Sequence, residues 1–146
     1  MPAISRDLNV LARCGNQFRS AHLKTLGLTA FQAPYILHIC ARPGQSQEQL
    51  ARALHVNRSS AARQLKMLED GGFVCRQEDQ VDKRLLLIYP LDKALAAAPL
   101  IRQVNRRWNA WLTDGMSAEE TSTMERLLDK VRQRAILWAE QEGTLD

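Results

Sequence analysis

The chain has 146 residues, 45% hydrophobic and 25% charged, with 20 Lys and Arg against 16 Asp and Glu for a net charge of +4. That length suits one domain, or one domain with helical extensions, and the composition is that of an ordinary soluble globular protein. No apolar run approaches the length of a membrane span, and so small a positive charge permits an anionic partner without requiring one. The distribution of charge says more. Through Gln45 the only acid is Asp7, and none occurs from Ala51 to Leu68, whereas acids outnumber bases from Ser117 onward. The three cysteines, Cys14, Cys40 and Cys75, are odd in number and widely spaced, which indicates neither a disulfide framework nor a zinc site. With an N-terminus that lacks a basic start before an apolar block, this leads to an expected place in a reducing cytoplasm, with no metal and no cofactor.

Met1 to Leu26 reads as a helix, with Leu8, Leu11, Ala12, Phe18, Ala21 and Leu26 on a broad apolar face and Gly27 as its breaker. Thr29 to Gln32 has the form of a capping box, and the helix after it should run to about Ala41, distorted near Pro34. Arg42-Pro43-Gly44 is a stop. A second capping box, Ser46 to Gln49, opens a short helix ending near Leu54. After the turn at His55-Val56, Asn57 can cap a further helix that Gly71 and Gly72 end. Two helices joined this tightly, with small Ala51 facing the turn, form a helix-turn-helix. In its second helix Ala61, Leu65 and Leu68 make one apolar stripe, and the opposite face carries Arg58, Ser59, Ala62, Arg63 and Lys66.

Phe73 to Gln77 and Leu85 to Tyr89 read as two strands, so the polar stretch between them is the tip of a hairpin, ending in Asp82-Lys83-Arg84. A hairpin in that place is a wing, and a basic wing tip can reach phosphates or the minor groove. Asp92 can cap the next helix, which continues to about Gly115, with Pro99 expected to kink or divide it. Ser117 to Glu120 is a third capping box, opening a helix with Met124, Leu127, Leu128, Val131, Ala135 and Trp138 at spacings of three and four. The fold class is therefore mainly α with a small β-hairpin wing.

Three segments, GLTAFQAPYIL, QLARALHVNRSSAARQLKMLEDGGFV and VDKRLLLIYPLDKA, carry a resemblance to the MarR family of bacterial winged-helix transcription regulators, in its order and spacing over about Gly27 to Ala94. The resemblance implies a single domain over 1–146. Its winged core is about 29–91, and its dimerisation helices are about 1–26 and 92–141. The family's recognition start falls on Asn57, Arg58, Ser59 and Ser60, its frequent arginine on Arg63, and its wing D-x-R on Asp82 and Arg84, where the aspartate braces the arginine. The chain departs from the pattern at Lys66, Val81, Leu91 to Ala94 and Pro99.

These readings together give a sequence-specific DNA-binding regulator that binds a palindromic operator as a homodimer, and the resemblance implies that it is a repressor released by a small effector. The expected DNA contacts are Asn57, Arg58, Ser59, Ser60, Arg63, Gln64, Lys66, Arg76, Lys83 and Arg84, with Asp82 as the wing brace. Trp108, Trp111 and Trp138 lie on apolar stripes that one thin core cannot cover, and a symmetric dimer would bury them. Phe18, His22, Tyr35 and His38 are the candidate effector cleft, for an aromatic or otherwise apolar molecule. Two alternatives stand beside this reading. Cys14 occupies the helix that bears the reactive cysteine in the family's peroxide-sensing branch, which would make the protein a thiol-based sensor. A winged helix can also serve protein interaction without DNA. An enzyme is not expected, for there is no nucleophile elbow, phosphate loop, H-E-x-x-H or paired carboxylate.

Overall fold

The computed structural model describes residues 3–141. Helix α1 spans Ile4–Leu23, a turn of tighter helix follows over Lys24–Leu26, and Gly27 ends it with φ 76°. The predicted helix is thus present from Ile4, with its last turn tightened; Met1 and Pro2 lie outside the described residues. Helix α2 spans Ala33–Ala41 and begins later than expected. Half of the predicted capping box exists, as the Thr29 N–H donates to Gln32 Oε1 at 3.0 Å, but it closes a turn before the helix. Pro34 then falls in the first turn, where no intrahelical N–H is needed. The distortion expected there has no cause.

Strand β1, Gln45–Ser46, was not foreseen; two residues are too few to show alternation. Ser46 then caps α3, Gln47–Leu54, with both halves of the capping box formed. His55 makes the turn, and Asn57 Oδ1 accepts from the Ser60 N–H at 2.7 Å to open α4, Arg58–Asp70. At the other end Gly72, with φ 78°, takes the left-handed conformation, and the Phe73 N–H donates to Leu68 O at 2.9 Å.

Strands β2, Val74–Glu78, and β3, Leu86–Pro90, form the wing, each one residue later than predicted. The sheet is antiparallel with order β1-β3-β2, and Ile88 is paired with Gln45 on one side and Arg76 on the other. Helix α5 spans Asp92–Leu112. Leu91, not Asp92, is its cap residue, and Asp92 is the first helical residue. Pro99 does not divide α5; it sits on the exposed side, where the carbonyl it leaves unpaired can meet water. Helix α6, Ala118–Gln141, starts at the predicted box, with Ser117 N–H to Glu120 Oε2 at 2.8 Å and Glu120 N–H to Ser117 Oγ at 3.1 Å.

One core joins these elements. Leu23, Ile36, Ile39, Leu50, Leu65, Leu68, Ile88 and Ile101 are fully buried in it. At about 1.5–3 kcal/mol for each large aliphatic side chain, this burial holds α4 and the wing against α2, α3 and α5. Helix α6 contributes nothing to the core: none of its residues is buried.

Candidate nucleic-acid interface

Ala61, Leu65 and Leu68 anchor one side of α4 in the core, so the helix must present its other side outward. There Arg58, Ser59, Arg63 and Lys66 are exposed, and Ser60 is half-buried. Asn57 is occupied as the cap, and Ser59 Oγ also donates to its Oδ1 at 3.2 Å. Arg58 Nη2 donates to Glu48 Oε1 at 2.8 Å. Lys66 Nζ donates to Asp70 Oδ1 at 2.9 Å, and that bond holds the ammonium above its ordinary pKa. Arg63 has no carboxylate partner among the described residues. Gln64 departs from the expectation of an outward contact, since it is half-buried and its buried Oε1 finds no partner among the described residues.

At the wing tip the Arg84 side chain meets Asp82 through two bonds, Nε to Oδ1 at 3.0 Å and Nη2 to Oδ2 at 3.2 Å, and the Arg84 backbone N–H donates to Oδ1 at 3.1 Å. The Arg84 side chain holds the Asp82 carboxyl below the usual carboxylate range, and Asp82 raises Arg84 in return. The fork geometry fixes the guanidinium while leaving the side chain 91% exposed. Lys83 beside it is exposed. Arg76 was placed among the phosphate contacts by charge alone, and it faces inward instead. Its Nε lies 3.2 Å from Glu69 Oε2 and its Nη1 donates to Gln47 Oε1 at 3.3 Å, with the side chain only 24% exposed. It ties the wing to the end of α4 and the start of α3. Lys93 makes a similar tie that the sequence did not reveal. Its Nζ donates to Gly71 O at 2.8 Å, at the negative end of α4, and sits over the Phe73 ring.

The four residues predicted to form an effector cleft do not come together. Phe18 and His22, one turn apart, pack their rings together at a tilt, and the Phe18 ring also packs against Trp108 and lies under the Arg107 guanidinium. His22 Nδ1 lies 2.8 Å from Phe18 O and its Nε2 3.5 Å from Arg107 Nη2, which a neutral ring protonated at Nδ1 satisfies on both sides. His38 Nε2 lies 2.7 Å from Gln45 Oε1, beside β1. Only Tyr35 lines a cavity, one of about 590 Å³ among α1, α2 and α5. Its other walls include Asn16, Arg19, Phe31, Leu54, Asn105 and Asn109. Arg19 Nη2 donates to Asn16 Oδ1 at 3.1 Å, and burial lowers the pKa of the guanidinium. Gly15 makes room for this arrangement, because a Cβ there would lie 2.9 Å from Arg19 Nη2 and 3.2 Å from Trp108 Nε1. Burial raises the Tyr35 phenol, and the nearby charge of Arg63 on α4 opposes it. Positions 16 and 19 share a helical face that 18 and 22 do not, a spacing that was available in the sequence. Cys14 is exposed on α1. Burial pushes the Cys40 thiol up.

A helix-turn-helix whose second helix leads into a braced two-stranded wing defines the class: this is a winged-helix protein. Residues 26–85 match the MarR family profile. The uncharacterized HTH-type transcriptional regulator YybA of Bacillus subtilis (strain 168) is 33% identical over 132 residues, 90% of this chain and 88% of that one. The crystal structure of the transcriptional regulator SlyA superimposes with a TM-score of 0.87 at 33% identity, over 92% of this chain and 94% of that one. A MarR family regulator from Listeria monocytogenes, complexed with 26mer DNA, gives 0.86 at 28% identity, covering 99% and 98%. The chain belongs to the MarR family of transcriptional regulators.

Proposed function

We propose that the protein represses transcription as a homodimer, by placing two α4 helices in successive major grooves of a two-fold operator. The observation that carries this is the outward side of α4, free of acids from Ala51 to Leu68 and set beside a wing arginine braced for reach. Arg58, Ser59, Ser60 and Arg63 are the contacts for base edges and phosphates, Lys66 a phosphate contact, and Arg84 the minor-groove contact, with Lys83 beside it on the backbone. Gln64 and Arg76 act in this reading as supports. The apolar residues left open on α1, α5 and α6 supply the dimer seam. They include Leu8, Leu11, Trp111, Leu127, Leu128, Val131 and Trp138. Two-fold symmetry buries such a face on both copies at once.

An effector enters the cavity at Arg19 and Tyr35. Among the described residues the half-buried Arg19 guanidinium meets no carboxylate, and set among asparagines and apolar walls it suits a small aromatic molecule bearing a negative group. Its influence can pass to α4 through Tyr35, which feels the charge of Arg63. The ligand shifts the operator equilibrium only as far as its affinities for the two arrangements differ. The test is gel-shift titration of a duplex enriched from a random pool. Replacing Arg63 by alanine should cost about 1–3 kcal/mol if it reads a base, and Arg84→Ala should also weaken binding. Folded variants that bind as tightly as the parent would overturn the docking.

A further inference from the structure

We propose that Glu48 is a specificity-determining positioning residue, holding Arg58 for a base edge and keeping it from backbone phosphates at unrelated sequences. The inference rests on the reading that the α4 face binds DNA. Glu48 lies in the first turn of α3, outside the acid-free stretch, yet its Oε1 reaches the start of α4. It accepts from Arg58 Nη2 at 2.8 Å, and Arg52 Nη2 lies 3.7 Å from the same oxygen. Both side chains of the Glu48–Arg58 pair are mostly in solvent, so the pair adds little to stability. Its consequence is local and electrostatic.

Arg58 is the first residue of α4. In a helix-turn-helix the N-terminal residues of the second helix are those that meet base edges. A guanidinium has five N–H donors, and Glu48 occupies one, so the edge needed for guanine O6 and N7 stays free. Without its acid, the same arginine would be a long, mobile cation able to neutralise any phosphate. The carboxylate opposes that use directly, because a phosphate approaching Arg58 must also approach Glu48. A base edge carries no net charge and meets less opposition. Glu48 therefore lowers the affinity for random DNA more than that for the proper site.

The experiment uses the full chain and two duplexes of equal length and composition. One is the sequence enriched from a random pool by the parent protein, and the other is its scrambled counterpart. Affinities for both are measured across a salt series for the parent, Glu48→Gln, Arg58→Ala and the double variant, with circular dichroism to check folding. Glu48→Gln should bind the scrambled duplex severalfold more tightly at low salt. Its salt slope should steepen by about 0.9 for each phosphate newly engaged. The ratio of the two affinities should fall, and in the Arg58→Ala background the same change should leave that ratio alone. An unchanged ratio in Glu48→Gln overturns the proposal, as does an equal effect without Arg58, which would make Glu48 a general repulsive charge. If the parent enriches no sequence, the DNA-binding reading fails first; if it does and the ratio stays constant, only the role of Glu48 falls.

Discussion

The winged core and the last helix, α6, are built from similar shares of apolar residues and end in opposite states. In the core, α4 and β3 bury their apolar sides on their own chain, and Leu65 and Ile88 have almost no exposed surface. On α6, a longer helix, Leu127, Leu128 and Val131 repeat at helical spacing and every one remains exposed. Trp111 at the end of α5 is 74% exposed. Isolated helices gain most of their stability from packing one face. The core is thus complete within one chain and the outer helices are not. In the dimer we propose, they complete each other.

Three substitutions should separate the halves. Leu128 borders two apolar grooves along α6, of about 500 and 510 Å³. Leu128→Asp removes roughly 1.5–3 kcal/mol of burial per copy, counted twice by symmetry, and puts a charge in the seam. Analytical ultracentrifugation at low micromolar concentration should show dissociation to monomer. Val81→Asp, at a residue 94% exposed on the wing, should leave the dimer intact. A parent protein that already sediments as a monomer would remove the dimer from the account. In the core, Leu65→Ala should cost about 2–5 kcal/mol in chemical denaturation, at fixed protein concentration, through transfer and cavity terms.

A smaller effect should appear where the halves join, at the Arg19 cavity. With benzoate as probe, release of the parent from its enriched duplex should need a lower concentration than release of Arg19→Ala. Loss of one hydrogen-bonded charge pair is worth about 1.5–3 kcal/mol, or roughly 10- to 100-fold. Cys14→Ser should leave this release intact. If hydrogen peroxide releases the parent and not Cys14→Ser, while benzoate releases neither, the switch is the thiol and the cavity is idle.

The same contrast explains what could be read from the sequence. The capping boxes at Ser46 and Ser117 and the cap at Asn57 are local, and each formed as the residues implied. The helix-turn-helix and wing followed from stops and alternation within a few residues. Partners from distant segments were harder. Nothing local distinguishes Arg76 from any other basic residue; its role comes from Glu69 and Gln47, which the fold brings to either side of it. The effector cleft failed for a related reason. Phe18 and His22 have the right chemistry but lie on the face turned to Trp108, and the cavity is formed by Asn16 and Arg19 with α5. Pro34 misled in the opposite way, because its effect depended on a helix start that differed by a few residues.

The smallest expected effect lies in the turn that joins α3 to α4, and it has the opposite sign. His55 is the only non-glycine with positive φ among the described residues, at φ 55° and ψ 43°. Its conformation is held by the turn, where the Val56 N–H donates to Ala51 O at 3.1 Å and the His55 N–H to Arg52 O at 3.3 Å. An L-residue there brings its Cβ near the following carbonyl, at a cost of about 1–2 kcal/mol. Glycine removes that clash but loses about 0.5–1 kcal/mol more backbone entropy on folding. The balance favours His55→Gly by about 0–1.5 kcal/mol, centred on roughly 0.75 kcal/mol, which is a rise in Tm of about 2–3 °C for a chain of this size. His55→Val should lower stability, because a β-branched side chain tolerates this region least. DNA affinity should stay the same in His55→Gly, since the turn's hydrogen bonds are made by the backbone. A loss of affinity without a loss of stability would show that the imidazole, exposed beside Arg52, reaches the DNA backbone itself.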